Sequence, residues 1–257
     1  MTEHKPSIGM RLLPVAVVLS LLLVWYVLSL KGVFPPSMFP TPLEVWQGFG
    51  EEWRAGRILR DVGASLFRVT TGFGLAVVLG LPLGLVLGRN GAARGALLPG
   101  VNFFRNLSPL AWIGFAILWF GIGHKAAIFL IFLATFFPLV LATTAAVAGI
   151  PAVYFRVGQD FGFRGMKLLT QITLPAIMPQ LITALRVTVG IGWVVVVAAE
   201  MTGAQEGLGY AIWDARNGLR PDLLVVEMIV IGTIGVLLDW LLVRLTRIRS
   251  VRWGYER

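Results

Sequence analysis

Apolar residues dominate the stretches 11–30, 68–88, 97–120, 126–148, 180–201 and 223–245, each close to the ~20 residues a helix needs to cross hydrocarbon. The pattern predicts an all-α polytopic membrane protein with six transmembrane helices in a single domain, 1–257. The first run, Leu12 to Leu30, is as long as a span and no small-residue cleavage site follows it, so it reads as a helix rather than a leader. Phe34-Pro35-Pro36 and Pro40-Thr41-Pro42 then interrupt any helix, because proline cannot donate to the ladder and restrains its predecessor. Beyond them Val45, Trp46, Phe49, Trp53, Ile58, Leu59 and Val62 recur at helical spacing among charged residues. This predicts one or two amphipathic helices, an external segment over 40–66 on the outer membrane face, with Trp46 and Trp53 at headgroup level; a solvated loop is the plain alternative.

Three spans carry further patterns. Gly72, Ala76, Gly80, Gly84 and Gly88 fall every fourth residue, a stripe of small side chains that allows close backbone approach inside a bundle or a dimer. The run 97–120 is interrupted by Asn102, Arg105, Asn106, Ser108 and Pro109, so it is either a broken helix lining a pathway or an interfacial helix followed by a short span. Arg105, Asn106 and Ser108 are candidates for the pathway, while snorkelling of Arg105 to the headgroups explains its presence equally well. Arg186 and Glu200 lie near opposite ends of the fifth span and are candidates for a pathway or gate, with a headgroup position as the alternative for Glu200. Asp239 in the last span has Arg244 or a neighbouring helix as its partner.

Composition narrows the chemistry. The chain is 57% hydrophobic and 14% charged, and has no cysteine and two histidines. Disulfides and thiolate metal sites are excluded, and a His-based triad or metal site has almost no material. A net charge of +9 would suggest nucleic acid in a soluble protein, but in a membrane protein the distribution of Lys and Arg matters more. With the N-terminus inside, most of the 22 basic residues fall in cytoplasmic segments, so both termini are expected in the cytoplasm and no nucleic-acid partner is expected. No Gly-x-x-x-x-Gly-Lys-Ser/Thr sequence occurs, so the chain has no P-loop for ATP, and no paired-Asp or Ser-His arrangement suggests intramembrane proteolysis.

The loop 149–179 is organised rather than merely polar. Pro151 suits a first helical turn, and Val153, Tyr154, Val157 and Phe161 recur at helical spacing with Phe155, Arg156, Gln159 and Asp160 among them. Gly162 and Gly165 turn the chain out of that helix, and a second begins before Pro175. The periodicity describes a helix-turn-helix outside the bilayer whose apolar face either docks a partner or rests on the chain's own surface.

At these residues the chain resembles the inner-membrane permease subunits of ATP-binding-cassette importers, whose cytoplasmic loop reads Glu-Ala-Ala-x3-Gly-x9-Ile-x-Leu-Pro. Gly162, Ile172, Leu174 and Pro175 match that spacing, and Arg156-Val157-Gly158 replaces the Glu-Ala-Ala. The chain is similar to the nitrate, sulfonate, taurine and bicarbonate branch at Ser65-Leu66-Phe67-Arg68, Gly80-Leu81-Pro82-Leu83-Gly84, Leu118-Trp119-Phe120-Gly121-Ile122-Gly123, Ala199-Glu200-Met201 and Gly207-Leu208-Gly209-Tyr210. The resemblance implies the type I importer permease architecture in a bacterial inner membrane. It implies a homodimer with two cytoplasmic ATPases that bind ATP and Mg, an external substrate-binding protein, and no cofactor on this chain. It makes Pro151, Val153, Tyr154, Phe155, Arg156, Val157, Gln159, Asp160, Phe161 and Gly162 a coupling helix seated on the ATPase. Permeases for a neutral pyrimidine precursor or riboflavin look similar at these positions. A self-contained six-helix channel or ion-coupled carrier is the rival class, and it lacks a visible repeat or coupling carboxylates.

Overall fold

The computed structural model describes residues 8–32, 35 and 38–246. The basic C-terminal run, both termini, Phe34 and Pro36 lie outside the described residues. Among the described residues there are eleven α-helices: α1 Ile8–Leu30, α2 Pro42–Arg54, α3 Arg57–Arg89, α4 Gly91–Asn106, α5 Ile113–Phe120, α6 His124–Ala148, α7 Ala152–Asp160, α8 Met166–Leu168, α9 Leu174–Gly203, α10 Leu208–Asn217 and α11 Pro221–Thr246. No strand occurs among the described residues. The chain divides into two compact units, Met1–Leu59 with Ala211–Val230, and Arg60–Tyr210 with Ile231–Arg257.

In the first unit Thr41 caps α2. Its hydroxyl accepts the Glu44 N–H at 3.2 Å while the Glu44 carboxylate accepts the Thr41 N–H at 2.7 Å, a reciprocal box completed by Pro42 in the first turn. Trp46, Phe49 and Trp53 stack along the exposed face with ring centroids 6.0 Å apart, the amphipathic stripe expected from the sequence. Val45 and Gly48 form the buried face, and a β-carbon at Gly48 would lie 3.0 Å from the Leu223 side chain. Arg220 joins Glu51 at 2.9 Å and Asp222 at 2.7 Å. Hydrogen bonds to Asp222 and then Glu51 raise the Arg220 pKa further above its ordinary value, so it stays charged at every accessible pH.

The second unit is organised around α6. The small-residue stripe of α3 lies on α6 within this chain: a β-carbon at Gly72 would sit 2.9 Å from Ile131 Cγ2, one at Gly84 2.6 Å from Thr143 Cβ, and one at Gly88 would overlap Val147. α9 meets α6 at the same residue, where a β-carbon at Gly192 would lie 3.4 Å from that Ile131 methyl. Ile131 is therefore wedged between two glycines on two helices and is fully buried. Lipid tails are as apolar as the side chains, so such close packing rather than the hydrophobic effect holds spans together. Trp193 of α9 donates its indole N–H to the Ile231 carbonyl at 3.2 Å, and Gly235 leaves room for the ring.

One expected span takes a different form. By length and composition four helices among the described residues can cross a membrane, Arg57–Arg89, His124–Ala148, Met166–Gly203 and Pro221–Arg244, and a fifth if a bent pair is counted as one span. That pair is α4 with Pro109–Phe120, bent by 83° where Leu107 and Ser108 leave the helix before Pro109, so 97–120 is a broken element and not a straight crossing. α1, Ile8–Leu30, covers the expected first span, and Val15–Leu30 is its apolar part among the described side chains. The expected surface segment 40–66 is also divided: Gly56, at φ 69°, ends α2, and 57–66 continues without a break into the α3 span. Its buried face carries Asp61 and Ser65, and then Arg68, beside Ile58 and Ala64, while Arg57, Leu59, Arg60 and Phe67 are exposed. The amphipathic pattern there includes a buried polar face.

Replacing Gly84 by leucine drives a side chain into Thr143, and overpacking of this kind costs about 1–3 kcal/mol. Gly74→Ala, with nothing within 4 Å of the new carbon, is expected to leave the thermal midpoint in detergent unchanged where Gly84→Leu lowers it.

Candidate functional site

At the end of the second unit farthest along the helices from the 149–165 loop, α3, α6, α9 and the start of α10 meet in a buried ionic cluster. Arg68 and Glu200 form an ion pair with 1% and 0% side-chain exposure. The Ser65 hydroxyl lies 2.8 Å and 2.9 Å from the two Glu200 oxygens and shares its one proton between them. The first turn of α10 supplies the remaining donors. Gly207 N–H reaches Asp61 at 3.0 Å, Leu208 N–H reaches Ser65 Oγ at 3.0 Å, and Gly209 N–H reaches Glu200 at 2.9 Å. Three successive amides that would be orphans at a helix start are thus satisfied by side chains from α3 and α9. Arg68 also donates to the Glu206 carbonyl at 2.8 Å and to His124 Nδ1 at 3.1 Å, while His124 Nε2 pairs with the Glu206 carboxylate at 3.0 Å. Gly207, at φ 109°, and Gly209 admit no side chain, because a β-carbon would strike Glu200 in the first case and the Val197 carbonyl in the second.

This cluster gathers three separated sequence motifs, Ser65-Leu66-Phe67-Arg68, Ala199-Glu200-Met201 and Gly207-Leu208-Gly209-Tyr210. Glu200 was singled out from its position near a span end, whereas Asp61, Ser65, Arg68 and His124 had no expected role. An arginine and a glutamate at the same end of two apolar helices were the available signal. Their pairing depends on helix packing that sequence alone does not give.

At the opposite end, Ala152–Asp160 forms α7, with Pro151 just before it as expected. Gly162 N–H bonds to the Gln159 carbonyl at 2.9 Å and Phe163 N–H to Gly158 at 2.8 Å, the paired bonds of a Schellman end, and the φ of 76° at Gly162 is what that end requires. Phe155 lies under the Arg89 guanidinium, 5.9 Å from ring centre to charge. Gly158 is buried against the π-helical turn Leu169–Thr173, where an added β-carbon would overlap Ile172 Cδ1. The residue that replaces the last alanine of the Glu-Ala-Ala pattern is thus a socket for the isoleucine of the same pattern. Val153, Tyr154, Val157 and Phe161 point outward, Phe161 with 75% exposure, and Arg156, Gln159 and Asp160 are exposed beside them.

The other candidates are dispersed. Arg105, Asn106 and Ser108 are exposed at the 83° break, and among the described residues Arg105 pairs with no carboxylate. Arg186 binds Asp239 of α11 with two prongs, at 3.0 Å and 3.1 Å to the two oxygens, so the partner of Asp239 is on the neighbouring helix and not Arg244. Arg244 instead stacks 3.6 Å over Trp240. A groove of about 1310 Å³ opens between α6, α7, the π-turn and α9. Among the described residues no group of three His, Asp or Glu side chains is disposed to hold a metal.

Two substitutions test this geometry. Arg68→Ala leaves Glu200 buried without its charge partner and is expected to cost about 3–5 kcal/mol, read as a lower unfolding midpoint in detergent. Gly158→Ala forces Ile172 aside and is expected to increase proteolysis of the 150–175 loop, with protection restored by adding Ile172→Val, which removes the obstructing carbon.

Comparison with known proteins agrees with this architecture. Residues 76–249 match the family described as binding-protein-dependent transport system inner membrane component. The taurine transport system permease protein TauC of Escherichia coli is 32% identical over 245 residues, covering 92% of this chain and 87% of that protein. The bicarbonate transport system permease protein CmpB of Synechococcus elongatus is 34% identical over 244 residues, 89% of this chain and 85% of that one. A solved structure of the MetNI methionine ABC transporter in an inward-facing conformation has the same fold, with a TM-score of 0.65 at 20% identity over 73% of this chain and 93% of that chain. The chain therefore belongs to the binding-protein-dependent transport system inner membrane component family, the permease subunits of ABC importers.

Proposed function

We propose that two copies of this chain form the translocation unit of an ATP-driven importer for a small anionic solute such as a sulfonate, taurine, nitrate or bicarbonate. The 149–179 loop faces the cytoplasm, and each copy seats α7 on a separate ATPase that binds ATP and Mg. An external binding protein delivers the solute at the other end. Taurine and bicarbonate in the names of the relatives, together with the aliphatic sulfonates of a Bacillus subtilis permease 31% identical to this chain, support an oxygen-rich anion as cargo.

The observation that carries the reading is the construction of α7. Tyr154, Val157 and Phe161 form an exposed apolar row on a short helix whose other face is fixed by Phe155 and Gly158. A rigid element that offers apolar side chains to water suits a groove in a partner, and motion of that partner is passed to α6 and α9 on either side of it. Arg105, Asn106 and Ser108 at the broken helix and Arg186 farther along α9 are polar groups along the solute's route. The Glu200 cluster acts as the latch of the external end, holding α3, α9 and α10 together while the cytoplasmic end opens and closes.

In vesicles holding both permease copies, both ATPases and the binding protein, uptake is expected to require ATP. Tyr154→Ala removes a central docking anchor worth about 2 kcal/mol, about thirty-fold in affinity for the ATPase, and charge reversal at Arg156 or Asp160 is expected to lower uptake and coupled hydrolysis together. Uptake by this chain alone at the rate of the complex would overturn the proposal in favour of a self-contained carrier.

A further inference from the structure

Arg244 closes the last apolar span, Pro221–Arg244, and its guanidinium lies 3.6 Å over the centre of the Trp240 ring, a stacking distance. The carboxylate nearest to it along the helix is already engaged, because Arg186 of α9 holds both oxygens of Asp239, at 3.0 Å and 3.1 Å. Among the described residues Arg244 is left without a carboxylate partner. A guanidinium stacked through its face keeps the N–H donors of its edge for a ligand in its own plane. The helix surface leading to it is apolar: Val236, Leu237, Trp240 and Leu241 are exposed at the three- and four-residue spacings that place them in one stripe with Arg244. Beyond it the sequence continues with Arg247, Arg249 and Arg252, and no acidic residue falls between 244 and 252. α11 runs antiparallel to α9, since Arg186 meets Asp239 while Trp193, farther along α9, bonds the Ile231 carbonyl, earlier in α11. Arg244 therefore lies toward the end of the bundle at which α9 begins.

Water satisfies the guanidinium but not the apolar stripe that leads up to it. An apolar track ending in a cation at the edge of a span has the shape and polarity of a phospholipid, acyl chain along the helix and phosphate at its end. A zwitterionic headgroup brings an ammonium of its own, which the following arginines repel, whereas an anionic headgroup is attracted by all of them. Snorkelling alone brings any terminal arginine to the headgroups; here the Trp240 ring fixes the plane of the guanidinium, which is what two-pronged recognition of a phosphate needs. We propose that Trp240 and Arg244 form a binding site for an anionic phospholipid such as phosphatidylglycerol, its phosphate on the edge of the Arg244 guanidinium and an acyl chain along Val236, Leu237 and Leu241. The Arg186–Asp239 pair is part of the construction, because it withdraws from Arg244 the carboxylate that would otherwise compete with the lipid. A ligand that binds only the folded end of α11 also stabilises the chain. With the 149–179 loop in the cytoplasm, as proposed above, the lipid comes from the inner leaflet.

The test titrates the full chain in detergent with dioleoylphosphatidylglycerol or dioleoylphosphatidylcholine, counting bound lipid by native mass spectrometry and following the thermal midpoint. The expected result is tighter binding of phosphatidylglycerol, a midpoint that rises with it and not with phosphatidylcholine, and a loss of about five-fold in its affinity on Arg244→Gln. Trp240→Leu, which keeps the charge but releases the guanidinium, and Arg244→Lys, which keeps the charge but not the planar fork, are both expected to weaken it. Arg216→Gln, at an exposed arginine of α10, is the control expected to leave it unchanged. Equal affinity for the two lipids overturns the inference. So does a Trp240→Leu or Arg244→Lys chain that binds phosphatidylglycerol as tightly as the unsubstituted one, since only the general attraction of a basic end then remains. Leu241→Cys chains that become disulfide-linked in the membrane overturn it in favour of a contact between copies, and the absence of other cysteines makes that bond unambiguous. None of these readings uses ATP-driven uptake, so failure of the lipid site and failure of the permease reading are separate results.

Discussion

A guanidinium and a carboxylate taken out of water each lose solvation worth several kcal/mol, and the Arg68–Glu200 pair recovers that loss only with the hydrogen bonds that surround both groups. Ser65, Gly209, the Glu206 carbonyl and His124 supply those bonds, and they come from α3, α10, the turn before α10 and α6. The pair therefore cannot form unless α3, α6, α9 and the start of α10 are all in register. A buried ion pair adds little net stability over well-packed apolar residues. Its contribution here is to exclude arrangements in which either charge would be buried alone.

The same register brings small residues opposite large ones. Ile131 fits between Gly72 and Gly192 only at one relative height of α3, α6 and α9, and Thr143 and Val147 then fall opposite Gly84 and Gly88. Charge pairing at one end and close backbone approach along the length are consistent with each other, which is how a single packing is specified where lipid competes for every apolar contact. The 149–165 end is built by different means. There a glycine socket, a π-turn and a Schellman end hold a short helix against the bundle and leave its apolar row outside.

Much of the fold was legible in the sequence because its signals are local. Apolar run length marks four of the long helices, proline the start of α2 and glycine the end of α7, and the four-residue repeat from Gly72 identifies a packing face before its partner is known. The buried contacts of Asp61 and Ser65 in 57–66 were not legible, because an amphipathic helix has the same periodicity whether a polar group meets water or a buried ion pair. The sharp bend after Asn106 was visible only as an interruption, since the choice between a kink and a surface helix depends on what the chain meets next.

By itself, the sequence determined that this is a membrane bundle with no P-loop motif, and that its 149–179 loop is an ordered helical element. Those conclusions follow from composition and from residues close together along the chain. Only the tertiary structure decided that Glu200 is matched to Arg68, that Asp239 belongs with Arg186 rather than Arg244, and that Ile172 fills the space left by Gly158. Each of these joins residues distant in sequence, and pairings of that kind are set by the relative height and rotation of helices, which hydrophobic periodicity does not encode.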